Sequence, residues 1–114
     1  MTYAKIIALI FSISLELGVP ADFTLSIAVT RGATQTVARW DTEENIRSGI
    51  ERIKELSAMP KINTWWGVAV AWHSGDSQFK KWPTEESLNY ADRVMAKYNE
   101  LTDGNIEVTI RGKI

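Results

Sequence analysis

The chain has 114 residues, 45% of them apolar, with 13 basic and 14 acidic side chains and a formal charge of −1. That is the length of one domain with enough apolar surface to form a core, and the even charge balance excludes the basic footprint of a nucleic-acid binder. Cysteine is absent and there is a single histidine, His73, which excludes disulfides, thiolate metal sites and a histidine-based metal cluster.

The first segment carries Lys5 ahead of an apolar run over residues 6–15. It has the outline of an export signal, but Val19-Pro20-Ala21 is a poor cleavage site and Glu16 interrupts the pattern. The run is also too short for a membrane span, which needs about 20 residues. A buried first helix over 3–17 is the preferred reading, ending at Gly18, the residue type expected just past a helix C-terminus. Pro20 suits the first turn of a second helix, which carries Phe23, Leu25 and Ile27 inward and runs to about Thr30.

Gly32 breaks that helix, and Thr34-Gln35-Thr36-Val37 favours an extended chain, so the stretch 31–40, from Arg31 to Trp40, is expected to contain a strand. The third helix is the best-marked element. Asp41 is a natural N-cap, Glu44 follows at the capping-box spacing, and Ile46, Ile50, Ile53 and Leu56 repeat along one face. Pro60 closes it. Asn63 or Thr64 can cap a fourth helix over 65–73, apolar nearly all round and therefore central. After the Ser74-Gly75-Asp76 turn, Thr84 starts a fifth helix with Leu88, Ala91, Val94 or Met95, Tyr98 and Leu101 on its inner side. Residues 106–110 alternate strictly and predict a strand that pairs with the one in 31–40. The expected fold is mainly α (α+β): a single domain over 1–114, with about five helices and one small β-pair.

Five tryptophans is a high count for this length. Trp65, Trp66 and Trp72 crowd together with Trp40 and Trp82 on flanking segments. Core packing is the plainer account of such a group, and lining a groove that stacks on sugar faces is the sharper one.

Four stretches, taken in order, are similar to the soluble lytic transglycosylase family, enzymes of the lysozyme fold that cut peptidoglycan glycan strands. They are SLELGVPADFTLSIA over 14–28, RWDTEENIRSGIERIKEL over 39–56, AVAWHSGD over 69–76 and YADRVMAKY over 90–98. The third resembles the family's ALAAYNAG motif, and the second its DPEENIRAG segment. The resemblance implies a lysozyme-like fold and a groove for glycan.

It also implies a catalytic glutamate directly after the second helix, a general acid kept protonated by an apolar setting. At that position this sequence has Arg31, a permanent cation with no useful proton to give. Counting backward instead, Gly32-Ala33-Thr34-Gln35 stands in for the family's Gly-Leu-Met-Gln motif, and on either count the segment that the family has between the acid and that motif is missing. Trp72 replaces a tyrosine that touches the acid, and His73 replaces an asparagine. The expectation is a catalytically inactive relative, a pseudoenzyme, that binds a peptidoglycan strand or a protein partner through Arg31, Gln35, Trp72 and His73, with no metal or cofactor. Glu16 reads as a solvated helix end, and Asp41, Glu43 and Glu44 as first-turn acids favoured by the helix dipole.

Asp76 is the one weak candidate for a substitute acid, which would make the chain an active transglycosylase of non-standard type. A phage or mobile-element interaction module on the same scaffold is the alternative of a different class. The first reading implies a cell-envelope or phage setting, the module a cytoplasmic one.

Overall fold

In the computed structural model, residues 2–30, 40–74, 84–102 and 109–110 are described. Five helices follow in chain order: α1 Tyr3–Leu17, α2 Ala21–Thr30, α3 Glu43–Ser57, α4 Trp65–Ser74 and α5 Glu85–Thr102. The chain is mainly helical. The expected strand in 31–40 lies outside the described residues except for Trp40. Of the C-terminal strand, an isolated antiparallel bridge between Thr64 and Thr109 is described, beside a bond from the Ile110 N–H to the Asn63 carbonyl at 2.9 Å.

Helix α1 ends where glycine chemistry allows it. Gly18 sits at φ 74°, ψ 28°, and the Val19 N–H reaches the Ser14 carbonyl at 2.9 Å, which satisfies a carbonyl the helix leaves open. Pro20 stands one residue ahead of α2 and its carbonyl accepts the Thr24 N–H at 3.1 Å, so its missing N–H costs the helix nothing. Phe23 and Ile27 of α2 are fully buried. The Phe23 ring packs 4.9 Å from Trp65 and, edge-on, 5.9 Å from Tyr98. Where α1 crosses α2, the buried Ser14 hydroxyl meets Thr24 Oγ1 at 3.1 Å.

Helix α3 lays Ile46, Ile50, Ile53 and Leu56 against the core with no exposure. Each such burial stabilises by roughly 1.5–3 kcal/mol. Its N-cap differs from the expected Asp41. Thr42 takes the extended conformation and its hydroxyl accepts the Asn45 N–H at 3.1 Å, because the helix starts one residue later. Asp41 instead accepts a long contact from the Asn45 side chain at 3.5 Å.

Helix α4 is the central element, packed on α3 and α5, with Gly67, Val68, Ala69, Val70 and Ala71 all buried. Thr64 caps it, accepting the Gly67 N–H at 3.0 Å. Helix α5 covers both α2 and α4 and is capped by Thr84, whose hydroxyl accepts the Ser87 N–H at 3.2 Å. Tyr90, Ala91, Val94 and Tyr98 face inward. Leu101 departs from its expected place and is 43% exposed, since the last turn of α5 runs past the packed part of the core. Among the described residues, no helix is long and apolar enough to cross a membrane.

Candidate functional site

The C-terminal turn of α4 brings two of the expected site residues to one end of the molecule and turns them apart. Consecutive helical residues project about 100° from each other. Trp72 therefore turns toward Trp40, and His73 toward α5.

Trp72 is half-buried, and its ring meets Trp40 edge to face, with centroids 6.2 Å apart and planes at 84°. Trp40 is itself 6% exposed. It lies across Gly49 of α3, where a Cβ would stand 2.4 Å from the indole Cζ2. This close approach is why α3 carries a glycine in its interior. Trp40 also walls an apolar groove of about 240 Å³ between α1 and α2, lined further by Tyr3, Ile6, Ile7, Ile10, Leu25 and Val29. That groove does not include Trp72 or His73, so it and the expected polar site share only the Trp40 indole.

His73 is exposed, and two contacts from α5 orient it. Its ring stacks on Tyr90, with centroids 4.8 Å apart and planes at 29°. Its Nδ1 lies 2.9 Å from the hydroxyl of Ser87, a residue 1% exposed. Ser87 Oγ in turn lies 3.1 Å from Thr84 Oγ1. The ring is thus held on one face and at one nitrogen.

Arg31, Gln35 and Asp76 lie outside the described residues. Among the five tryptophans, Trp40 and Trp65 are core residues, Trp66 and Trp72 are half-buried, and Trp82 lies outside the described residues. Trp66 spends its indole N–H on Asp92 of α5, 2.9 Å away, as a tie between helices. Among the described residues, no group of three or more His, Asp or Glu side chains is placed to hold a metal ion.

Sequence reasoning missed Thr84, Ser87, Tyr90 and Trp40 as partners of the site. The Thr84-x-x-Ser87 spacing was readable as a helix cap, and Tyr90 falls one turn beyond Ser87 on the same face. Nothing local, however, connects either to His73. The remaining acidic feature is a surface pair. Glu16, at the end of α1, accepts from both guanidinium nitrogens of Arg47 on α3, and that bonding and charge hold its carboxyl below the ordinary glutamate range. Glu16 is a helix tie and not a candidate acid. The chain matches no protein-family profile, no curated protein and no solved structure.

Proposed function

We propose that this chain is a shortened, catalytically inactive domain of lytic-transglycosylase type that binds a peptidoglycan glycan strand at the end of α4. The observation that carries the reading is Arg31: it stands where the family's acid belongs, while the residues that build the scaffold around that position are retained in order. A proton donor to a glycosidic oxygen must be titratable near neutral pH, and arginine is not. The oriented His73 edge and the part-exposed Trp72 ring supply hydrogen bonding and stacking surface, and Arg31 and Gln35 complete the set in this reading. The small β-pair between the stretch 31–40 and the C-terminal strand is part of the same proposal, and cross-strand amide contacts by NMR test it.

Incubating the full chain with purified peptidoglycan tests the functional claim. Sedimentation with sacculi and no release of anhydro-muropeptides supports it. Product release overturns the inactive reading and makes Asp76→Asn the first variant to assay.

One observation favours a second reading, a protein-interaction module. Helix α1 leaves three large apolar side chains in solvent, with Tyr3 69%, Phe11 41% and Leu15 83% exposed. Phe11 and Leu15 also border a second apolar hollow with Val19, Pro20 and Ala21. Exposed apolar surface around such a hollow is of the kind that marks interaction sites. On this reading the chain fails to sediment with sacculi, and Phe11→Ser abolishes capture of a protein partner without altering the fold.

A further inference from the structure

At the junction between the end of α4 and the start of α5, three side chains form a hydrogen-bonded series with a readable direction. Thr84 Oγ1 accepts the Ser87 backbone N–H at 3.2 Å as the cap of α5, so one of its lone pairs is engaged and its own proton is free to give. That hydroxyl lies 3.1 Å from Ser87 Oγ, with the geometry of a donor. Ser87 Oγ lies 2.9 Å from His73 Nδ1. A hydroxyl has one proton to donate. If Ser87 Oγ accepts from Thr84, its own proton is directed at Nδ1, and Nδ1 is then the bare nitrogen of a neutral imidazole. A half-turn of the imidazole about its Cβ–Cγ bond would keep the stacking on Tyr90 but put Cδ2 in place of Nδ1, so the bond to Ser87 is what fixes which way the ring faces.

We propose that the Thr84–Ser87 series holds neutral His73 as the Nε2–H tautomer, so that the outward edge of the ring is a hydrogen-bond donor selecting an acceptor oxygen on the ligand. The ligand half rests on the glycan reading above: the oxygen is then a carbonyl of an N-acetylated sugar, a better acceptor than a sugar hydroxyl. Ser87 acts here as a positioning residue, since it is buried and reaches the ligand only through His73.

His73 is the chain's single histidine, so the imidazole signals of the full chain are free of overlap. Proton–nitrogen correlation spectra at alkaline pH, where an imidazole is neutral, read the tautomer directly. The expected result is a proton on Nε2, with Nδ1 unprotonated and hydrogen-bonded. Ser87→Ala should move the ring toward a mixture of tautomers, and Ser87→Thr should restore the wild-type pattern. A predominant Nδ1–H form in the wild type overturns the proposal.

Titration with a tetramer of N-acetylglucosamine then reads the donor role. His73→Gln, whose amide nitrogen reaches the Nε2 position, should keep affinity within a few-fold. His73→Leu should lose about tenfold, the worth of one hydrogen bond. Equal affinity for His73→Leu and wild type overturns the donor role. Failure of the wild type to bind the tetramer overturns the glycan reading and the ligand half with it, while the spectrum decides the tautomer half by itself.

Discussion

Gly49 is the position where one methyl group tests how the site is supported. A glycine inside a helix costs about 1 kcal/mol relative to alanine, and α3 is otherwise a well-formed amphipathic helix. An alanine Cβ here would stand 2.4 Å from Trp40 Cζ2, 2.7 Å from Cε2 and 2.8 Å from Nε1. Carbon atoms settle at about 3.5–4.0 Å, so the indole has to retreat by roughly 1 Å or more, and its contact with Trp72 must shift with it. Overpacking of this order costs about 1–3 kcal/mol. Set against the helix gain, Gly49→Ala should destabilise by about 0–2 kcal/mol. In a Trp40→Leu background the obstructing ring atoms are gone, because a leucine side chain ends short of them. The same Gly49→Ala change should then stabilise by about 1 kcal/mol.

Urea unfolding of the four proteins, followed by far-UV circular dichroism, gives the coupling energy. Near-UV dichroism of Gly49→Ala reports the altered Trp40–Trp72 pair. If Gly49→Ala stabilises equally in both backgrounds, the indole does not hold the glycine in place and the account of Trp40 is wrong.

At Gly18 nothing lies within 4 Å of an added Cβ, so Gly18→Ala pays only for the left-handed backbone at φ 74°. A loss of about 1 kcal/mol is expected in thermal unfolding, with Gly18→Asn losing less; an unchanged melting temperature would contradict it. Ser14→Ala should cost about 1 kcal/mol, and Thr24→Val about 1–3 kcal/mol by stranding the Ser14 hydroxyl. The double variant should lose less than the sum, by urea titration, because both changes remove the same bond, from the Ser14 hydroxyl to Thr24 Oγ1 at 3.1 Å. The Glu16 carboxyl is held low by hydrogen bonding to Arg47 and by its charge. A depressed folded-state carboxyl stabilises at neutral pH and loses that contribution as pH falls through the carboxylate range. Glu16→Gln should flatten that part of the acid unfolding curve and remove some of its salt dependence; an unchanged curve would show the pair contributes nothing.

The helices were legible because each carries its reason locally. Ile46, Ile50, Ile53 and Leu56 recur at helical spacing and all four prove fully buried. Gly18 marks a stop that the left-handed backbone requires. The α3 cap was misread by one residue because Asp41 and Thr42 are both good caps, and only the backbone decides which hydroxyl or carboxylate meets the Asn45 N–H. Leu101 kept the period of α5 but not its burial, since periodicity says which face a residue shares and not how far the core extends. The site was half legible. Trp72 and His73 stood out by type, yet what positions them comes from Trp40 on one side and from Ser87, 14 residues away, on the other. Such pairings arise from how α3, α4 and α5 pack, which no local pattern encodes.

Those supports bear on which functional reading the exposed residues favour. The buried side chains of the four family-like stretches are explained by packing alone: Phe23, Ile27, Ile46, Ile50, Ala69 and Val94 have no exposure and would be kept by any chain that needs this core. Those residues are therefore neutral between a sugar and a protein partner. The discriminating residues are those that the core does not need. His73 is exposed yet bound at Nδ1 and stacked on Tyr90, an ordering that costs side-chain entropy and adds little to the core. Tyr3, Phe11 and Leu15 are exposed and apolar. A polar edge held in one orientation suits a ligand recognised by directed hydrogen bonds, and exposed apolar side chains suit one recognised by area. His73→Leu and Phe11→Ser thus act on separate surfaces: on the glycan reading only the first weakens retention by sacculi, and on the interaction reading only the second weakens capture of a protein.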